Sequence, residues 1–131
     1  MTYLYGALLA GLCVLLGGAA VLHVVAPSTF TGIVPAPLQP VAVPVVFVSG
    51  VCEAICAIML AVPVTRRLGS YATAALFIAV FPANVQMALD SGFSTTLTFD
   101  VALIWLRLPL QVPLIAWALL LGRRPRAVIA P

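Results

Sequence analysis

Apolar residues along this chain fall into four long runs, separated by stretches rich in proline, arginine or small polar side chains. The runs cover about Tyr3 to Val25, Val41 to Val62, Tyr71 to Leu89 and Asp100 to Leu121. Each is close to the roughly 20 residues that a helix needs to cross the hydrocarbon core of a bilayer. The pattern predicts four spans in one 131-residue domain: an all-α, integral membrane four-helix bundle. The first connector, "APSTFTGIVPAPLQPVAVP", holds Pro27, Pro35, Pro37, Pro40 and Pro44. Prolines that dense forbid a regular helix, because each removes a backbone donor. An ordered loop or a short interfacial segment is expected there, with Pro44 tolerated in the first turn of span two. The second connector, "PVTRRLGS", is tight, and the third, "SGFSTTLTF", is short and polar. Pro82 is expected to kink span three, and Pro109 and Pro113 lie four apart in span four.

Composition agrees with the spans. Hydrophobic residues make up 64% of the chain and charged residues 7%, against about 25% charged in a soluble domain. No water-facing surface can be built from that, so the lipid bilayer is the expected surrounding. The first run resembles a signal peptide at "GGAA", but no Lys or Arg precedes it and its apolar stretch exceeds the usual length, which predicts a retained helix. Gly6, Ala10, Gly11, Gly17 and Gly18 keep one side of it thin enough for close helix contact.

The net charge of +3 comes from six arginines and no lysine. They are too sparse for nucleic-acid binding, which needs basic residues clustered on one face. Arg66, Arg67, Arg123, Arg124 and Arg126 flank the ends of spans two and four, on one side of a four-span arrangement. The positive-inside rule then places both termini in the cytoplasm and the Pro-rich loop outside. Asp90 and Asp100 fall near the outer ends of spans three and four. Cys13, Cys52 and Cys56 form an odd set within apolar runs, without CxxC spacing, and are expected to be small apolar fillers rather than a disulfide framework.

Few polar side chains remain inside the spans. Glu53, in "GVCEAICAIML", lies roughly 15 Å below the outer end of span two, near mid-membrane. Arg107 lies roughly 10 Å down span four, with Gln111 about 6 Å deeper. Asn84 sits about six residues before the outer end of span three, and His23 close to the outer end of span one. Asp100, Ile104, Arg107 and Gln111 follow offsets of 0, 4, 7 and 11, one helical stripe. Ser49, Gly50, Glu53, Cys56 and Ala57 form a small or polar face on span two. Asn84 shares a face with Phe77, Phe81 and Ala88, whereas Gln86 turns toward Asp90. Trp105 and Trp117 are expected to face lipid or pack.

A charge at mid-helix costs about 2.5–3.5 kcal/mol on insertion scales. Depth matching therefore predicts a Glu53–Arg107 ion pair, with Asn84, Gln111 and His23 completing its hydrogen bonds. Such a cluster is either an outward-opening pocket for a small ligand or protons, or a buried pair that fixes register. No Ser–His–Asp order, metal-ligand spacing or Gly-rich phosphate loop is visible, so neither an enzyme assignment nor a metal or cofactor in this chain is expected.

Several of these elements together resemble the DoxX family of small four-helix membrane proteins of bacteria and archaea. They are "HVVAPSTFTGIVPAPLQP", "VSGVCEAICAIML", "FPANVQMAL" and "LRLPLQVPLIAWAL", in order over about residues 20 to 120. The family pattern falls on His23; Phe30 with Ile33, Val34 and Pro35; Gly50 with Glu53; Pro82, Ala83 and Asn84; and Arg107, Pro109 and Gln111. The proline that usually closes the first-loop element is here spread over Pro37 and Pro40. The resemblance implies a bacterial or archaeal plasma-membrane protein, and for some members a subunit near quinone or sulfur redox chemistry. Three readings follow. One is an accessory or binding subunit with a polar pocket for a quinone-like or other small amphipathic ligand. Another is an assembly protein that meets a membrane partner or a second copy through its glycine-rich first span. The third is a small proton-coupled transporter.

Overall fold

The computed structural model describes residues 2–91 and 99–123. Residues 92–98 of the third connector, Arg124 and Arg126 lie outside the described residues, as does the side chain of Asp100. The long helices are α1 (Thr2–Val25), α3 (Ala42–Ala61), α4 (Arg66–Asp90) and α5 (Phe99–Gly122), with a single-turn α2 (Ser28–Thr31) and a 3₁₀ segment (Ala36–Val41) between α1 and α3. Four stretches, Tyr3–Val25, Ala36–Ala61, Arg66–Asp90 and Ile104–Gly122, are each long and apolar enough to cross a membrane. Large apolar side chains such as Val14, Val43, Ile58, Ile78 and Val112 point outward and are exposed, the surface that hydrocarbon rather than water would cover.

The first connector is folded. Pro35, Pro37 and Pro40 remove donors, so the chain takes short turns and a 3₁₀ segment instead of an α-helix. The Gln39 amide ties these together, donating from Nε2 to the carbonyls of Thr31 (3.1 Å) and Val34 (2.7 Å). Val34 is buried with Ala42 and Val46 of α3, against Phe30 and Val45. The connector thus closes back on the helices it joins.

At the opposite end, the turn between α3 and α4 answers the last carbonyls of α3. Thr65 Oγ1 donates to Met59 O at 2.9 Å, while Arg66 donates from Nε to Leu60 O at 2.8 Å and from Nη2 to Ala61 O at 3.1 Å. These groups would otherwise be orphans of the helix terminus. Because Arg66 closes one helix and opens the next, α4 starts at Arg66 and not near Tyr71.

In the bundle, α1 packs along α3, α3 along α4 and α4 along α5, while α1 meets α5 only sparsely. The main core joins Leu12 and Leu16 of α1, Cys56 and Leu60 of α3, Ala74 and Phe77 of α4, and Ala118 and Leu121 of α5. Gly69 lets α4 approach α3, since a Cβ there would stand 2.7 Å from Met59 Cβ. Ser70 Oγ donates to Ala118 O at 2.6 Å, and Tyr5 Oη donates to Leu121 O at 3.0 Å. Both contacts lie at the end that carries the Arg66–Arg67 turn, so α1 begins and α5 ends on the same side as that turn.

Candidate functional site

The α1–α3 seam narrows at Gly50. A Cβ at that position would stand 2.7 Å from His23 Cβ and 3.4 Å from the Ala20 carbonyl. Only a residue without a side chain lets the two backbones meet there. The contact also fixes the stagger. Gly50 lies eight residues into α3, so His23 stands about 12 Å, and the end of α1 at Val25 about 9 Å, below the start of α3. The folded connector occupies the level above it.

One turn from Gly50, Glu53 faces the same seam. Its Oε2 lies 3.0 Å from His23 Nδ1, and the two side chains are 9% (His23) and 12% (Glu53) exposed. The same Nδ1 lies 2.8 Å from the carbonyl of Ala19. A carbonyl only accepts, so Nδ1 carries a proton in that bond. The N–H is aimed at Ala19 and passes Glu53 at ion-pair distance. Glu53 Oε2 is therefore buried beside the imidazole but has no aligned hydrogen-bond donor among the described residues. Phe30 of α2 covers the imidazole from the loop side, with ring centroids 4.0 Å apart and planes 15° from parallel.

A second polar cluster lies between α4 and α5. Asn84 Nδ2 donates to Gln111 Oε1 at 3.1 Å, and Gln111 Nε2 donates to the backbone carbonyl of Phe77. Pro82 lacks the N–H that would serve the carbonyl of Ile78; the amide is received one residue earlier, at Phe77. Gln111 is buried and Asn84 half-buried. Phe77 packs in the same core as Cys56, one turn inward from Glu53, so one apolar layer floors both clusters.

The expected Glu53–Arg107 ion pair does not form. The Arg107 guanidinium is exposed, and its hydrogen bond runs from Nη1 to Met87 Sδ at 3.6 Å. The reason is helix order: α3 lies between α1 and α4 and does not pack on α5. Of the five polar residues expected to converge, the structure joins His23 with Glu53 and Asn84 with Gln111, and leaves Arg107 apart. Gln86 donates to Asp90 at 2.9 Å, outside both clusters, as its phase requires. Cys13, Cys52 and Cys56 are unbridged. Phe81 is exposed, unlike its expected companions Phe77 and Ala88. Phe30 belongs to the first-loop element, but nothing in the sequence spacing places its ring on His23.

A family model described as a domain of unknown function, DUF8561, matches residues 12–122. The chain belongs to the DUF8561 family. No curated protein and no solved structure matches it. The DUF8561 match runs from Leu12, the first buried core residue of α1, to the end of α5, and so contains His23, Glu53, Asn84, Gln111 and Arg107. The DUF8561 domain and this bundle are therefore one unit, in which the polar clusters lie toward the Pro-rich loop and the apolar core toward the termini.

Proposed function

We propose that this is a multi-pass membrane protein that binds a small amphipathic molecule in the outer half of its bundle, with His23 and Glu53 at the centre of the site. The observation that carries the reading is Glu53 Oε2: a buried carboxylate oxygen against an imidazole, with no aligned donor among the described residues. Leaving such an oxygen unserved costs about 1–3 kcal/mol or more. A hydroxyl, amine or other donor on a ligand would remove that cost. Phe30 supplies an aromatic wall beside the imidazole, and Asn84 with Gln111 adds an amide pair that can exchange partners with a polar head.

The DoxX-like elements support the same reading and extend it to an accessory subunit of a bacterial plasma-membrane complex near quinone or sulfur redox chemistry. Arg66, Arg67 and Arg123 at the end shared by the start of α1 and the end of α5 favour cytoplasmic termini by the positive-inside rule. The Pro-rich loop and the His23–Glu53 pair then belong to the outer side.

Purification in mild detergent, followed by mass spectrometry of small molecules retained by the native protein, tests the reading. A donor-bearing molecule that stays with the wild type and leaves with Glu53→Gln, but not with Arg67→Gln, is the expected result. An identical set of retained molecules in all three proteins contradicts it.

The assembly reading rests on a different observation. Gly6, Gly17 and Gly18 have no atom within 4 Å of where a Cβ would stand, so they form an open face on α1. Gly11, by contrast, is exposed but has the Trp117 ring 3.3 Å from where its Cβ would stand. Loss of a co-purifying partner or second copy on Gly18→Leu, with the Glu53 variant unaffected, would favour that reading.

A further inference from the structure

Arg107 is placed where a helix in a membrane rarely leaves a charge. It lies eight residues into α5, roughly 12 Å from that end of a helix about 36 Å long. By helical phase it stands within about 40° of Gln111 and 20° of Ala118, both buried. Arg107 therefore points toward the bundle and is nevertheless exposed. Beyond its contact with Met87 of α4, the guanidinium is left uncovered by the described residues.

The contacts between α1 and α5 locate the opening. Tyr5 reaches Leu121, and Gly11 packs on Trp117 at 3.3 Å from a notional Cβ. Both are in the half nearer the termini. Continuing that antiparallel register brings Arg107 level with about Ala20 of α1. There α1 is committed to α3, through Ala20 and His23 at Gly50. A gap is thus left between the outer halves of α1 and α5, with a guanidinium at its edge.

No carboxylate among the described residues lies within 4 Å of that guanidinium. Its hydrogen-bond acceptor among the described residues, the Met87 thioether, is weak and serves only one of its five donors. Asp90, one turn beyond Met87, accepts from Gln86 instead. The arginine stem is long enough to lift the charge toward the headgroup layer. Its planar fork matches the oxygens of a phosphate.

We propose that the gap between the outer halves of α1 and α5 is a binding site for an anionic phospholipid, with Arg107 gripping the headgroup phosphate and the acyl chains lying along the two helices. The lipid supplies a counter-charge that no described carboxylate supplies, in a place distinct from the His23–Glu53 seam. The proposal is independent of the small-molecule reading above: each can fail without the other.

Native mass spectrometry in detergent, titrating phosphatidylglycerol and, separately, phosphatidylcholine, tests it. The wild type should retain phosphatidylglycerol more strongly than phosphatidylcholine. Arg107→Gln should lower phosphatidylglycerol retention by about tenfold, the size of one charge-assisted hydrogen bond, while Arg107→Lys keeps part of it. Arg67→Gln, at the opposite end, and Glu53→Gln should leave it unchanged. Equal retention of the two lipids by the wild type, or the same loss with Arg67→Gln as with Arg107→Gln, overturns the proposal. So does retention that Arg107→Gln does not alter. An Arg107→Gln protein that dissociates or unfolds is replaced in the comparison by Arg107→Lys against Arg107→Met, for which the same order is expected.

Discussion

His23 Nδ1 and Glu53 Oε2 approach to 3.0 Å across the α1–α3 seam, at the level where Gly50 allows the two helices to touch. The imidazole spends its N–H on Ala19, so the carboxylate gains proximity to the ring without an aligned hydrogen bond. The bundle holds this incomplete pair in place by three means: a glycine at the level of the imidazole, an aromatic ring over it and a proline-dense connector that cannot extend into helix.

Gly50 should be intolerant of even one methyl. Gly50→Ala is expected to destabilise the protein by about 1–3 kcal/mol, the usual cost of overpacking a seam, because the neighbouring atom is the fixed Cβ of His23. Gly18→Ala, with open space around it, should be neutral or slightly stabilising, since alanine is the better helix former. Thermal or denaturant unfolding in detergent distinguishes the two.

Gln111 joins two elements through both ends of one amide. Gln111→Leu is expected to cost about 1–2 kcal/mol, near the upper range for polar contacts between membrane helices. Asn84→Ala should cost less, since it removes one of the two bonds. The double variant should be less destabilising than the sum of the singles, as expected when two residues share one interaction.

Arg66 should matter to folding more than Arg67. It serves the carbonyls of Leu60 and Ala61, whereas Arg67 is exposed and its side chain makes no hydrogen bond among the described residues. Arg66→Gln is expected to lower stability by about 1 kcal/mol through loss of the cap, with Arg67→Gln within about 0.5 kcal/mol of wild type. Unfolding curves of the two variants decide it.

Orientation has its own test. In a background lacking the native cysteines, Gly32→Cys should react with a membrane-impermeant maleimide added to intact cells, and Leu68→Cys should react only after the membrane is opened. The reverse pattern would invert the topology and move the His23–Glu53 pair to the cytoplasmic side.

The sequence carried some of this arrangement openly and concealed the rest. Four apolar runs are visible because lipid demands them of every residue on a spanning face, and the small or polar face through Gly50, Glu53 and Cys56 follows from helical period alone. The Gln86–Asp90 pair is local, four residues apart on one helix, and phase sufficed to find it. The partner of Glu53 was a different kind of question. Counting 1.5 Å per residue gives depth along a helix, but says nothing about which helix stands beside it. Arg107 has a suitable depth but sits on a helix that does not pack along α3. His23 was expected close to the outer end of α1, and it stands two residues from it. The stagger that brings it down to Gly50 depends on how residues 26–41 fold. That stagger rests on Gln39 reaching two carbonyls and on Val34 packing into α3, contacts with no periodic signature. The early start of α4 was hidden for a related reason: Arg66 reads as a topological charge, and its capping bonds exist only in three dimensions.

The most direct measurement is a pair of double-mutant cycles on unfolding free energy, one for His23→Asn with Glu53→Gln and one for Arg107→Gln with Glu53→Gln. Coupling of about 1 kcal/mol in the histidine cycle, with the arginine cycle additive within about 0.3–0.5 kcal/mol, is the predicted result. Coupling that follows Arg107 and is missing from His23 would contradict the account.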